Sequence, residues 1–341
     1  MTQVSDFYYE LPQELIAQEP LEERGASRML VVSRERQSFH DDVFANFHKF
    51  VRPGDCLVLN DTRVFPARLH GRRNSESGAE VEVFLVRALD EHETVWHALA
   101  KPAKRVRRGD SILFASELSA DVIAAGDFGE RTIRFYAHER ISDLLDRLGQ
   151  TPLPPYIHRP PDPQDRERYQ TVFAEKRGSV AAPTAGLHFT PEMLDACRAA
   201  GAEIAYVTLH VGLGTFAPLR EEQVSNIELH EEYFEISDAN ADLMRRAKRL
   251  FCVGTTTVRT IETVLLRGEM TAAKGETNLF IYPGFRFRGT SVMLTNFHLP
   301  QSSLLMLVCA FAGRELTLAA YRHAVAEKYR FFSYGDCMLI C

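Results

Sequence analysis

Six short strand-like pieces follow one another with no helix between them, and this run constrains the fold more than any other feature. They cover residues 64–72, 79–89, 94–101, 111–114, 119–125 and 131–136, separated by turns rich in Gly, Asn, Asp or Glu. In the second piece Val81, Val83 and Leu85 alternate with Glu80, Glu82 and Phe84, the period of a half-buried strand. Short strands at even spacing predict a small antiparallel barrel, and six are enough to close one.

From Tyr156 onward strands and helices alternate. Thr190-Pro191-Glu192 opens a helix, with Thr as cap and Pro in the first turn, and Gly201 ends it. Residues 203–211 follow as a strand, 250–254 as another, and 256–267 as a helix buried along Val258, Ile261 and Leu265. Residues 303–312 are apolar all round, which predicts an interior helix. Leu318, Tyr321, Val325 and Tyr329 give a last helix its core side. Such alternation predicts an α/β layered domain with a mainly parallel or mixed sheet. Cys56-Leu57-Val58-Leu59-Asn60 is a further apolar strand of this kind. The expected fold is therefore a layered α/β domain made of 1–62 and 151–341, interrupted by an inserted six-stranded antiparallel β-barrel at 63–150. Leu153-Pro154-Pro155 forms the rigid re-entry. A length of 341 residues suits two domains.

A net charge of -6 argues against wholesale coating of nucleic acid but leaves room for local basic patches. One is the loop with Lys101, Lys104, Arg105, Arg107 and Arg108. Another interleaves Tyr156, His158, Arg159, Arg166, Arg168 and Tyr169. Cations hold phosphates and aromatic rings stack unpaired bases, although basic loops are often simply solvated. The longest apolar run, 304–313, is short of the ~20 residues that a membrane span needs. The first ten residues lack a signal-peptide pattern, and the six cysteines form no Cys-x-x-Cys pair. Cys56, Cys197, Cys252 and Cys309 read as small core residues, while Cys337 and Cys341 leave a ligand or redox pair open. A cytoplasmic protein without a membrane partner is expected.

Polar residues gather at expected strand ends. Along 203–211, Tyr206, Thr208 and His210 share one face, and the strand runs into Gly212-Leu213-Gly214-Thr215-Phe216. A histidine and backbone glycines at a strand's carboxyl end suit a ligand site, or equally a satisfied core histidine. Gly212-x-Gly214-x-x-Ala217 also fits a dinucleotide fingerprint, but Pro218 and 220–223 open a helix poorly. If 227–232 is extended, Glu228, His230 and Glu232 share a face. That cluster reads as a carboxylate–imidazole base, as metal ligands with His210, or as a solvated acidic strand. Gly254-Thr255-Thr256-Thr257 joins strand to helix, where free N–H groups and hydroxyls welcome a carboxylate or phosphate, with Arg259 and Glu262 on one side of that helix. Thr295-Asn296-Phe297-His298-Leu299-Pro300 is a similar polar cluster.

Several long strings carry a resemblance. They are Asn60-Asp61-Thr62-Arg63-Val64, Leu153-Pro154-Pro155-Tyr156-Ile157, 167–173, 178–189 with its Ala182-Pro183-Thr184-Ala185-Gly186-Leu187-His188 core, and His210-Val211-Gly212-x-Gly214-Thr215-Phe216. Val253-Gly254-Thr255-Thr256, Glu276-Thr277-Asn278, 295–300 and 329–336 complete the set. Nearly end to end, the chain resembles the S-adenosylmethionine:tRNA ribosyltransferase-isomerase family of queuosine synthesis. The resemblance implies transfer of the ribosyl unit of S-adenosylmethionine to 7-aminomethyl-7-deazaguanine at the tRNA wobble position, giving epoxyqueuosine, adenine and methionine. S-Adenosylmethionine is then a co-substrate. No prosthetic group or metal is expected, because the sulfonium already supplies positive charge.

The implied chemistry needs a base for the methylene beside sulfur and an acid for departing adenine. His210 and Glu228 are the candidate bases, and His188 and His298 the candidate acids. Asp61, Thr184, Gly212, Gly214, Thr215, Thr256, Arg259, Asn278 and Asn296 are candidates for gripping the donor. Tyr156, Arg159 and Arg168, with Lys101, Lys104, Arg105, Arg107 and Arg108, are candidates for the anticodon arm of tRNA. With no self-complementary apolar strip in the sequence, a monomer is expected.

Overall fold

The computed structural model describes residues 2–74, 78–212 and 221–341. Six strands close the barrel: Arg68–Arg73, Glu80–Ala88, Val95–Lys101, Ser111–Ala115, Leu118–Ala125 and Glu130–Tyr136. Their inward residues, among them Val81, Val83, Leu85, Ala98, Ile112, Val122 and Ile133, make one core, and alternate residues face solvent. The helix Ile141–Leu148 plugs one end by inserting Ile141, Leu144 and Leu145 into that core. The first barrel strand starts later than the expected 64–72. Thr62–Val64 pairs in parallel with Lys176–Ser179 outside the barrel, and Pro66 removes a ladder N–H between that pairing and the barrel strand.

The large sheet has nine strands in the order Ala273–Thr277, Glu232–Ile236, Glu203–Leu209, Asp55–Asn60, Arg249–Val253, Thr290–Asn296, Cys337–Ile340, Arg28–Ser33 and Ser38–Val43. It is mixed. Glu203–Leu209, Asp55–Asn60, Arg249–Val253 and Thr290–Asn296 run parallel to one another. Its central strands are buried on both faces, and residue parity decides which core each side chain joins. Leu30, Val32, Cys56, Val58, Cys252 and Met293 pack on one side with the helices Asp238–Arg246, Thr255–Leu266, Ser303–Ala312 and Arg314–Ala326. Met29, Val31, Leu57, Leu59, Phe251 and Leu294 pack on the other with Phe44, Phe47, Phe189 and the helix Pro191–Ala199.

The local signals behave as their chemistry requires. Thr190 Oγ1 accepts from Met193 N, and Gly201 takes a left-handed φ of 95° just beyond the helix end. The Ser303–Ala312 helix is interior as expected. The last helix differs: its buried line is Leu316, Thr317, Ala320, Tyr321 and Ala324, with Leu318 and Val325 half-buried and Tyr329 beyond its end. Helix Arg314–Ala326 follows its predecessor after a bend of 117°, so its inner face is set by packing on that helix. No single helix among the described residues is long and apolar enough to cross a membrane. All six cysteines are free; Cys337 opens an interior strand of the sheet and Cys341 follows its end, and the described residues hold no metal-binding cluster.

Candidate active site

Because four central strands are parallel, their carboxyl ends, Asn60, Leu209, Val253 and Asn296, lie along one edge of the sheet. Cys337 pairs with Asn296 and Met29 with Cys337, which brings Ser333 and Ser27 to the same edge. This is where an open α/β sheet binds ligands. A cavity of about 500 Å³ opens there, lined by Tyr156, Thr184, Thr256, Asn296, His298 and Ser333 among others. One wall is apolar: Tyr156 stacks on Phe332 with ring centroids 4.5 Å apart, and Tyr156 Oη meets Ser333 Oγ at 2.6 Å.

The start of helix Thr255–Leu266 also lines the cavity. Gly254 precedes it at φ 87°, a left-handed turn that glycine makes without strain. The first-turn N–H groups have no intrahelical acceptor. Thr257 Oγ1 folds back to Val253 O at 2.8 Å, whereas Thr256 Oγ1 is closed off from solvent and has no hydrogen-bond partner. An orphan hydroxyl beside orphan N–H groups is a donor set of the kind that suits an anion.

Two buried histidines, His188 and His298, stand at this edge of the sheet. Asn296 Nδ2 donates to Phe332 O at 2.8 Å, so its Oδ1 accepts, and His188 Nε2 donates to it across 3.3 Å. His188 Nδ1 then accepts from Ser27 Oγ at 2.9 Å. His188 therefore stands behind the cavity wall with both nitrogens occupied. His298 lines the cavity itself. Thr295 Oγ1 is 3.3 Å from Asn296 O, to which it donates, and 2.8 Å from His298 Nε2, from which it accepts. That leaves His298 Nδ1 as a proton acceptor. Burial lowers His298 to about 3 and His188 to about 4, so both imidazoles are neutral at pH 7.

The match to known proteins is full-length. The family model described as queuosine biosynthesis protein matches residues 4–340. The chain belongs to the queuosine biosynthesis protein family. A relative in Solibacter usitatus, named S-adenosylmethionine:tRNA ribosyltransferase-isomerase, is 55% identical, with 99% of each chain covered. One of the same name in Caldanaerobacter subterraneus is 48% identical over 98% of this chain and 99% of its own. A crystal structure of S-adenosylmethionine tRNA ribosyltransferase from Thermotoga maritima is 37% identical, covers 99% of this chain and 100% of its own, and superposes with a TM-score of 0.57.

For this member of the queuosine biosynthesis family, the structure sorts the expected residues into two groups. Thr184, Thr256, Asn296, His298 and Tyr156 meet in the cavity. Tyr156 thus lies beside these polar residues in the cavity. Others lie elsewhere. His210 is not among the residues that line the cavity, whereas its neighbour Val211 is; both lie just beyond the strand end at Leu209. Its Nδ1 is 2.8 Å from Thr62 Oγ1, its ring stacks on Tyr233, and burial lowers it to about 4.

Glu228 and His230 are exposed in irregular backbone while Glu232 is buried at a strand start, so the three do not share a face. Chain preceding Glu232 leaves the sheet, which removes the alternation that the expectation assumed. Arg259 is not opposite Glu262. It pairs with Glu232, donates to Leu279 O at 3.1 Å, and thereby braces a strand against a helix. Glu262 instead accepts from the backbone of Arg288, Gly289 and Thr290. Asp61 accepts from Thr208 Oγ1 at 2.6 Å, and desolvation raises its pKa. Asn278 is exposed. Gly212 N donates to Glu232 at 2.9 Å, and Gly214 and Thr215 lie outside the described residues.

Arg159 forms a two-pronged pair with Asp165 at 2.6 and 2.8 Å, and Arg168 donates to the carbonyls of Leu21 and Glu22. Both are committed to holding the chain. Lys101, Lys104, Arg105, Arg107 and Arg108 are all exposed. Sequence reasoning missed Phe332 and Ser333, although both sit in a string singled out for its resemblance; Ser333 is buried beside Tyr156, a polar residue among aromatics.

Proposed function

We propose that the 500 Å³ cavity holds S-adenosylmethionine, and that the chain transfers and isomerises its ribosyl unit onto tRNA in queuosine biosynthesis, as the name of its relatives describes. The volume falls in the ~300–1,000 Å³ range of small-molecule sites. The observation that carries the reading is the unpartnered Thr256 Oγ1 at a free helix N-terminus, facing an aromatic wall across one cavity. The methionine carboxylate takes the N–H groups of Thr255–Thr257 and the Thr256 hydroxyl. Adenine lies against Tyr156 and Phe332, and the sulfonium and ribose fall between them, near His298.

In this arrangement His298 Nδ1 accepts the proton from the methylene beside sulfur, made acidic by the adjacent positive charge. The His298 imidazolium returns that proton to the nitrogen of departing adenine, the aminomethyl nitrogen of 7-aminomethyl-7-deazaguanine adds and loses a proton to solvent, the carbon ring closes, and an alkoxide expels methionine to form the epoxide. His188 positions Asn296 and takes no proton from the donor. Residues 63–150 act as an inserted domain on a cytoplasmic monomer.

The test is a product assay with labelled S-adenosylmethionine and tRNA carrying the aminomethyl base. Free adenine and methionine with an epoxide-bearing nucleoside support the reading. S-Adenosylhomocysteine with methylated RNA would replace it by methyl transfer.

A further inference from the structure

We infer that Tyr9 and Tyr321 are positioning residues for His298: their hydroxyls grip its peptide groups and thereby fix the imidazole that lines the cavity. The inference rests on His298 being the proton acceptor of the proposed reaction, and extends that site to the N-terminal segment and the last helix.

The main chain at His298 needs outside partners. Strand Thr290–Asn296 ends two residues before it and the next helix begins at Ser303, so neither ladder nor helical bonds serve it. At 8% exposure it is largely shut off from water as well. His298 N donates to Tyr321 Oη at 3.1 Å, and His298 O accepts from Tyr9 Oη at 2.5 Å. Burial raises the pKa of both phenols, so each keeps its proton. The same stretch is tied again where Gln301 N donates to Phe7 O at 3.1 Å. Val4, in the turn Val4–Phe7, lines the cavity itself.

Packing alone does not call for these hydroxyls. Tyr9 and Tyr321 meet edge to face, with ring centroids 5.1 Å apart, among Phe297 and Phe331. Phenylalanine serves at the neighbouring positions of this cluster, and a buried hydroxyl costs free energy unless it is hydrogen-bonded. Here both hydroxyls are spent on the peptide groups of His298. Its ring is held in turn by Nε2, which donates to Thr295 Oγ1 at 2.8 Å. Three holds, from the N-terminal segment, the helix Arg314–Ala326 and the strand Thr290–Asn296, thus set the place and tilt of Nδ1 before the donor arrives. A proton acceptor works only within hydrogen-bond reach of its proton, so this fixing bears on turnover more than on donor binding.

The test uses the full chain, S-adenosylmethionine and tRNA carrying the aminomethyl base. Tyr9→Phe and Tyr321→Phe each keep the ring and delete one hydroxyl. Each is expected to lower kcat about tenfold, with KM for S-adenosylmethionine within about twofold of wild type. In a His298→Gln background, Tyr9→Phe should leave the residual turnover where it was, because the group it positions is gone. Tyr329→Phe deletes another buried phenol's bond, to Asp41 at 2.5 Å, and should lower thermal stability while kcat holds. Wild-type kcat in either Tyr9→Phe or Tyr321→Phe, beside lost turnover in His298→Gln, would overturn the inference alone. So would a matching kcat loss in Tyr329→Phe, or a further loss when Tyr9→Phe joins His298→Gln, since both describe general loosening. Full turnover in His298→Gln would overturn the proton-acceptor reading and this inference with it.

Discussion

His188 Nε2 donates to Asn296 Oδ1 across 3.3 Å, so a fully buried neutral imidazole holds one wall of the cavity in place. This has a consequence for stability. The folded pKa of about 4 lies below the unfolded ~6.5, so between those values the unfolded chain binds the extra proton. Stability is full above pH ~6.5 and falls as pH drops toward 4, by up to about 3 kcal/mol from this group. Urea midpoints measured from pH 7 to 4 should decline, and His188→Asn should flatten part of that decline. An identical pH slope in the variant would remove His188 from the account.

Thr256→Val keeps the shape of the helix start and deletes the orphan hydroxyl. KM for S-adenosylmethionine should rise about tenfold, the worth of a charge-assisted hydrogen bond of roughly 1.5 kcal/mol. Thr256→Ser should stay near wild type. Thermal unfolding should barely move, because the hydroxyl has no protein partner to lose. Equal affinity in Thr256→Val would place the carboxylate elsewhere.

His298→Gln retains a polar side chain but presents no imidazole to the donor. Turnover should fall by about 100-fold or more, the usual scale for a positioned proton acceptor. By contrast His210→Ala and Glu228→Gln should each keep most turnover, since neither residue lines the cavity. Comparing kcat for the three variants checks the assignment. Full activity in His298→Gln with loss in His210→Ala would reverse it.

Glu232 and Arg259 are both nearly inaccessible, with side-chain exposures of 5% and 6%. Removing one charge leaves the other buried, so Glu232→Gln should cost about 3–5 kcal/mol. Glu232 also accepts from Gly212 N, so the same substitution weakens the hold on Gly212 next to Val211, which lines the cavity. Denaturant titration gives the number. A cost below about 1 kcal/mol would show that the pair is not what fixes this corner.

Local patterns in the sequence determined the elements. Short pieces between turns marked the six barrel strands, the first starting too early, Thr190 and Gly201 bounded a helix, and uniform apolarity marked the interior helix Ser303–Ala312. Those signals are legible because hydrogen-bond periods and caps act within a few residues. Several cavity residues were legible too, through long strings of polar residues at strand ends. Tertiary structure alone decided which of them meet. Thr62 and Tyr233 hold His210 while Val211 lines the cavity, a nonlocal ion pair took Arg259 from the ligand, and carbonyls of distant segments claimed Arg168. Each outcome depends on chain segments tens to hundreds of residues apart, and no local period in the sequence carries that information.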